Sequence, residues 1–124
     1  MAYEISWEES GILVRFFDIV TEQEVMAAND IMYGDARFET ILYQISDYTE
    51  AVQILITPRD AKVIGTLDNS SSRWNQQPMK NAVVTKDEEF IPVVETYFKE
   101  FEGTPWQCRL FENLELAHDW VKLH

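Results

Sequence analysis

Hydrophobic and polar positions change their spacing in a regular order along this chain. Tyr3, Ile5 and Trp7 alternate with polar residues, which indicates a half-buried strand. The run from Ile12 to Val20 is apolar on both faces, as in a more central strand. Segments with helical spacing and short apolar runs then alternate. Because strands separated by helices usually form βαβ units, the pattern predicts an α/β fold.

The predicted order is β-β-α-β-α-β-α-β-α in one domain over residues 1–124, with a mixed five-stranded sheet and four helices. The first two strands form an antiparallel hairpin, whose turn places Gly11 at a position open to positive φ. The predicted strands cover residues 3–7, 12–20, 41–48, 82–85 and 106–111. The predicted helices cover 22–33, from 58 into the polar segment 68–81, from 87–89 to the residues before Gly103, and a short segment after Asn113.

The helix starts carry local signals. Thr21 and Glu24 form a capping box, and Thr57 precedes Pro58 as the cap of the second helix. The third helix has the strongest apolar stripe, formed by Phe90, Val93, Val94, Tyr97, Phe98 and Phe101. The second has only a thin stripe, Ala61, Ile64 and Leu67. Since a helix that buries little apolar surface opens at low free energy, the second helix is the candidate for a movable lid in the hypothesis of an apolar pocket between the sheet and the helices.

Charge and composition exclude several functions. The chain of 124 residues has 22 acidic and 10 basic residues and a net charge of −12, which disfavours nucleic acids and anionic membranes. A solvated acidic surface explains this charge, and a basic partner is the alternative that it leaves open. Cys108 is the single cysteine, so no internal disulfide forms. No apolar run approaches the ~20 residues of a membrane helix. These features predict a soluble protein of the reducing cytoplasm.

Residues that carry chemistry are scattered. The four glycines form no phosphate-binding loop. Alternation with Trp106 and Leu110 predicts that Cys108 is an inert core thiol, and no spacing brings His118 or His124 into a metal site. The acidic run 87–89 is explained as a helix start. The sequence therefore predicts no catalytic residue, cofactor or metal, and a protein that is not an enzyme.

The element order and several segments resemble the STAS domain superfamily, in particular its SpoIIAA-like, STAS/SEC14-related family. The resemblance is carried by the hairpin 4–16, by Lys80 to Asp87, by Arg109 to Asn113, and by Glu115 to Trp120. It implies the SpoIIAA-like fold and binding to a protein partner. In the anti-sigma antagonists of this superfamily, a serine that follows the third strand is phosphorylated. The Asp-Ser pair of that site is missing from this chain.

The position of that site directs attention to the segment after the third strand. We expect the partner-binding or switch region to include Asp47, Tyr48, Thr49, Thr57 and Arg59. A phosphorylation switch would use Thr49 or Thr57, although the hydroxyl of Thr57 is also needed as a helix cap. The partner itself is not identified by the sequence, and a homodimer is one arrangement that it leaves open.

The alternative function is that of a carrier for a small apolar ligand or lipid, bound between the sheet and the helices. The expected pocket is lined by Trp74, Phe98, Phe101 and Trp120. A carrier requires an enclosed apolar cavity of roughly 300 Å³ or more, whereas an interaction module has a filled interior and an exposed apolar patch.

Overall fold

The computed structural model describes residues 2–71 and 78–123, and it confirms the predicted α/β fold with a mixed five-stranded sheet and four α-helices. The strands are β1 (Tyr3–Trp7), β2 (Gly11–Thr21), β3 (Tyr43–Leu55), β4 (Lys80–Val84) and β5 (Gln107–Phe111). The helices are α1 (Glu22–Tyr33), α2 (Pro58–Ser71), α3 (Ile91–Lys99) and α4 (Leu114–Val121), with a short 3₁₀ helix at Ala36–Glu39.

The strands lie in the sheet in chain order, β1-β2-β3-β4-β5. The strand β1 is antiparallel to β2, and the other three neighbouring pairs are parallel. Among the described residues, each parallel connection therefore contains one α-helix, as the alternation of spacings predicts. The fold places the carboxyl ends of β2 and β3 beside the first turns of α1 and α2, where the candidate binding residues lie.

The sheet separates two apolar cores. The larger core joins one face of the sheet to α1, α2 and α3, and its buried members include Phe16, Met32 and Val94. The smaller core joins the other face to α4 through residues such as Ile45 and Ala117. Burial on both faces explains why the central strands are apolar at successive positions.

The strand β3 is longer than the predicted segment 41–48, because it begins at Tyr43 and continues to Leu55. Its added length pairs with β2 alone: residues 17–21 pair with 50–55, beyond the last pairs that β1 and β4 make. We call this two-stranded segment, Phe17–Thr21 with Glu50–Leu55, the ribbon extension. The predicted loop after the third strand is thus mostly strand.

Three local predictions are corrected by the structure. The helix α3 begins at Ile91, after the acidic run 87–89, because the backbone first forms a turn in which the Asp87 carboxylate accepts from the Glu89 N–H. Helix α2 buries Asp68 instead of Leu67 as the third member of its stripe. Gly11 does not adopt a positive φ; it provides space, since a Cβ there would collide with the ring of Tyr43.

The described residues form no helix that is both long and apolar enough to span a bilayer.

Candidate functional site

Two of the five residues expected to bind a partner lie inside the protein. Asp47 is buried on β3, where one carboxylate oxygen accepts from the N–H of Thr49 at 3.0 Å and from its hydroxyl at 2.7 Å. Tyr48 is buried on the opposite face, and its ring stacks on Phe16 with centroids 4.7 Å apart. Burial raises the pKa of the Tyr48 hydroxyl. Both side chains stabilise the sheet and are not available to a partner.

The other three predicted residues are exposed. Thr57 caps α2: its hydroxyl accepts from the Asp60 N–H at 3.1 Å, and its own N–H donates to the Asp60 carboxylate at 3.0 Å. Arg59 lies in the first turn of the same helix. The hydroxyls of Thr49 and Thr57 are therefore both engaged in local hydrogen bonds. Phosphorylation of Thr49 would remove the proton that it donates to Asp47, whereas a phosphate on Thr57 would keep acceptor oxygens at the start of α2.

The ribbon extension exposes three large aliphatic side chains. Ile19 is 53% exposed, Val52 82% and Leu55 49%. The pairs Ile19 with Gln53 and Thr21 with Leu55 place Ile19 and Leu55 on one face of the ribbon, because side chains two positions apart share a face. The alternate pair, Val20 with Ile54, faces the larger core. Val52 lies at the irregularity in the pairing, so the exposed patch on one face of the ribbon consists of Ile19 and Leu55. The sequence pattern did not identify this patch, because the boundary predicted for β3 ended before it.

Carboxylates surround this end of the sheet. Asp18 and Glu50 are exposed on the ribbon extension, and Asp18 has a positive φ of 58° at an irregularity in the pairing. The side chains of Glu22 and Asp60 meet where the first turns of α1 and α2 come together. Their hydrogen bond raises the pKa of Glu22, while backbone donation from Thr57 lowers the pKa of Asp60. The apolar patch thus has a predominantly acidic border.

The structure divides the residues expected to line an apolar pocket. Phe98 and Phe101 lie together near Trp106, on the side of the sheet that holds α3, and Phe101 stacks on Trp106 with centroids 5.1 Å apart. Trp120 lies on the other face, against Phe111. Trp74 is outside the described residues. The sheet therefore prevents Phe101 and Trp120 from lining a common pocket.

A buried polar network was missed by the sequence analysis. Asp68 of α2, which is 2% exposed, accepts from the Asn29 amide at 3.0 Å and from the Tyr97 hydroxyl at 2.7 Å. Tyr97 in turn accepts from the Asn81 amide at 2.8 Å. Burial raises the pKa of Asp68 to about 6, although the tyrosine hydrogen bonds oppose this effect. The sequence signal that could have revealed this network is an acidic residue that falls on the apolar stripe of helix α2.

A partly open cavity of about 40 Å³ adjoins this network, between the sheet and helices α1, α2 and α3. It is far smaller than the roughly 300 Å³ expected of a carrier site. Its polar lining includes Asn29, Gln44, Ser46, Asp68 and Tyr97. The interior beneath α2 is therefore incompletely filled, but it does not have the room that the carrier alternative requires.

The thiol of Cys108 and the imidazole of His118, which are reactive in other settings, have structural roles here. Burial raises the pKa of the Cys108 thiol to about 12, which favours the unreactive form. His118 pairs through Nε2 with Glu8 at 3.1 Å, and Glu8 also accepts from the Tyr43 hydroxyl. Within residues 2–71 and 78–123, no group of three or more His, Cys, Asp or Glu side chains is arranged to hold a metal ion.

Comparison with known structures shows the fold. The chain is similar to the anti-sigma factor antagonist SpoIIAA in its unphosphorylated form, with 12% identity, a TM-score of 0.63 and coverage of 98% of each chain. It is also similar to an uncharacterized DUF3478-family protein with a SpoIIAA-like fold from Shewanella loihica PV-4. That match has 16% identity and a TM-score of 0.57, and it covers 97% of this chain and 92% of the other.

No family model matches the chain, and no curated protein matches it. At these identities the similarity establishes a SpoIIAA-like fold, as the sequence resemblance implies.

Proposed function

We propose that this chain is a non-enzymatic, cytoplasmic regulatory module that binds a basic protein partner through the ribbon extension and the first turn of α2. The fold supports a regulatory role of the anti-sigma factor antagonist type, since one structure with this fold is such an antagonist. The observation that carries the proposal is the exposed aliphatic patch that Ile19 and Leu55 form on one face of the ribbon extension. Clustered exposed apolar residues with a polar border are typical of protein interaction sites.

The charge of the partner is inferred from the border of this patch. Asp18, Glu22 and Glu50 contribute negative charge close to the aliphatic side chains, and the whole chain has a net charge of −12. A partner with apolar side chains among Lys and Arg residues would complement this surface in both respects. Thr49, Thr57 and Arg59 would contact the partner from the edge of the patch.

The test uses the Ile19→Ser/Leu55→Ser double variant. Both side chains are exposed, so their replacement should leave folding nearly unchanged. Leu116→Ser/Leu123→Ser is the matched control, because these leucines are equally accessible (51% and 62%) but lie outside the proposed surface. We expect a protein captured by the wild-type chain to be retained by the control and lost by the ribbon variant.

The captured protein must then be purified and titrated against each variant. The proposal requires a basic partner whose affinity decreases as salt is added, because the acidic border contributes to association. Equal binding by both double variants, or an acidic partner, would contradict it. A concentration-dependent dimer that only the ribbon variant abolishes would also contradict it, since a second copy would then cover the patch.

A further inference from the structure

At the seam between α1 and α2, one hydrogen bond lies between a cavity in the larger core and a depression on the surface. The partly open cavity of about 40 Å³ and a surface depression of about 220 Å³ are both lined by Asn29 and Asp68. The Asn29 amide donates to Asp68 across 3.0 Å, so this hydrogen-bonded pair lies where the two spaces adjoin. Rotation of the Asn29 side chain would join them into one site.

The inner end of this site has an acceptor without a donor. Gln44 lines the cavity from β3 and is only 5% exposed. Its Oε1 atom receives no hydrogen bond from the residues that the structure describes. Because buried polar atoms in proteins are nearly always paired, this atom points to an occupant that supplies an N–H or O–H group.

The outer end is acidic, and the space between the ends is apolar. Asp30 and Asp68 line the depression, and its described lining contains no Lys or Arg. The cavity walls include Val25, Ile64 and Val94. The site therefore offers negative charge at its mouth, aliphatic walls in the middle and a hydrogen-bond acceptor at its far end.

We propose that this seam binds a short aliphatic amine that carries a second hydrogen-bond donor, such as an amino alcohol. The ammonium group replaces the Asn29 amide as the donor to Asp68, and the methylene chain lies against the aliphatic walls. The hydroxyl group donates to Gln44. The hydrogen bond from Tyr97 to Asp68 is kept. This site is separate from the proposed protein-binding surface and does not depend on it.

Aminobutanol is a suitable probe, with butylamine and butanol as matched compounds that each lack one functional group. Isothermal titration at about pH 8 should give aminobutanol the highest affinity, because Asp68, whose pKa is about 6, is ionised there. Butylamine should bind more weakly, and butanol should not bind measurably. Affinity for aminobutanol should decrease as the pH falls below about 6, when Asp68 takes up a proton.

Two variants locate the binding site. Asp68→Asn should lower the affinity for aminobutanol by about tenfold or more, the effect of losing a hydrogen bond to a charged group. Gln44→Leu should reduce aminobutanol to the affinity of butylamine and leave butylamine unchanged. Asp119→Asn is the control, because it removes one exposed carboxylate on α4 and should change neither affinity.

Circular dichroism establishes that each variant is folded before the titrations are compared. The Gln44→Leu comparison remains decisive if Asp68→Asn alters the packing of α2, since it depends on the difference between two ligands in one variant. Absence of aminobutanol binding, equal binding of butanol, or an equal loss in Asp119→Asn would overturn the proposal.

Discussion

The carboxyl group of Asp68 is buried among hydroxyl and amide groups, and burial raises its pKa to about 6. Its ordinary value is 3.8, so the folded protein binds this proton more tightly than the unfolded chain does. The nearby Tyr33 hydroxyl and the hydrogen bond from Tyr97 favour the charged form and keep the pKa from rising further. Above about pH 6, the folded state thus contains a buried charge that is only partly compensated.

This imbalance predicts how stability changes with pH. The contribution of Asp68 should become less favourable as the pH rises from about 4 to about 6, by about 3 kcal/mol in total, and should then stay constant. Asp68→Asn removes the titration while keeping an acceptor for Tyr97. Urea unfolding across this range should therefore show a smaller decrease in stability for Asp68→Asn than for the wild type.

Asp119→Asn serves as the control for the general effect of removing a negative charge. Asp119 is exposed on α4, so this variant should follow the wild-type pH profile. Parallel profiles for the wild type and Asp68→Asn would show that Asp68 titrates alike in the folded and unfolded states.

Gly11 leaves space for a neighbouring aromatic ring, and a substitution at this position tests that steric role. The ring of Tyr43 lies directly over Gly11, and its hydroxyl donates to Glu8, which also pairs with His118 of α4. A methyl group at position 11 would displace the ring and disturb this link between the hairpin and α4. Gly11→Ala should therefore lower the free energy of unfolding by about 1–3 kcal/mol, as overpacking does.

A double-mutant cycle with Tyr43→Ala tests this cause by chemical denaturation. If the collision with the ring is responsible, Gly11→Ala should cost much less when Tyr43 is already alanine. Additive effects of the two substitutions would contradict the steric explanation.

At the level of elements, the start of α2 was correctly predicted because its signal is local. Thr57 and Asp60 exchange hydrogen bonds at the cap, and Pro58 occupies the first helical position. The prediction that Leu67 is the third buried residue of this helix was wrong, because a leucine is expected at a buried position before an aspartate is. Only tertiary contacts with Asn29 and Tyr97 compensate the burial of an acid there.

The length of β3 was missed for a related reason. Asp47 and Thr49 resemble a turn at the end of a strand, yet their side chains bond to each other while the backbone continues in the ladder. Beyond this point the strand pairs with β2 alone and is partly solvated. The strict alternation that marks a half-buried strand is therefore lost, and the ribbon extension has little sequence signal.

The cap of α2 gives a prediction at this scale. Thr57→Ala should lower the free energy of unfolding by about 1 kcal/mol, because the N–H of Asp60 loses its acceptor. Thr57→Ser retains a hydroxyl and should remain close to the wild type. Thermal and urea denaturation of the three proteins would measure the difference. An equal loss in both variants would show that the threonine methyl group, and not the cap, stabilises this turn.

Across the whole molecule, the two apolar cores account for most of the hydrophobic pattern, which explains why the fold could be predicted. The candidate sites lie where that pattern is interrupted: exposed aliphatic residues on the ribbon extension and polar residues in the larger core. Periodicity identifies which residues fill a core, whereas these sites depend on strand lengths and on contacts between distant segments. Asp68 and Asn29, for example, are 39 positions apart.

The net charge of −12 gives the prediction for the molecule as a whole. Folding brings 22 acidic residues with only 10 basic ones into a small volume, so their mutual repulsion opposes the compact state. At about 0.01 M salt the screening length is about 30 Å, and at about 0.1 M it decreases to about 10 Å. Added sodium chloride should therefore raise the midpoint of thermal unfolding, by a few degrees for each ~1 kcal/mol of repulsion removed.

Scanning calorimetry over this salt range, repeated with potassium chloride, separates screening from specific ion binding. Screening depends on ionic strength alone, so the two salts should give the same rise. The rise should be smaller at about pH 5, where the carboxylates begin to take up protons and the repulsion decreases. A midpoint of thermal unfolding that does not change with salt at neutral pH would contradict the prediction. It would show that the acidic residues are too far apart for their repulsion to destabilise the folded state.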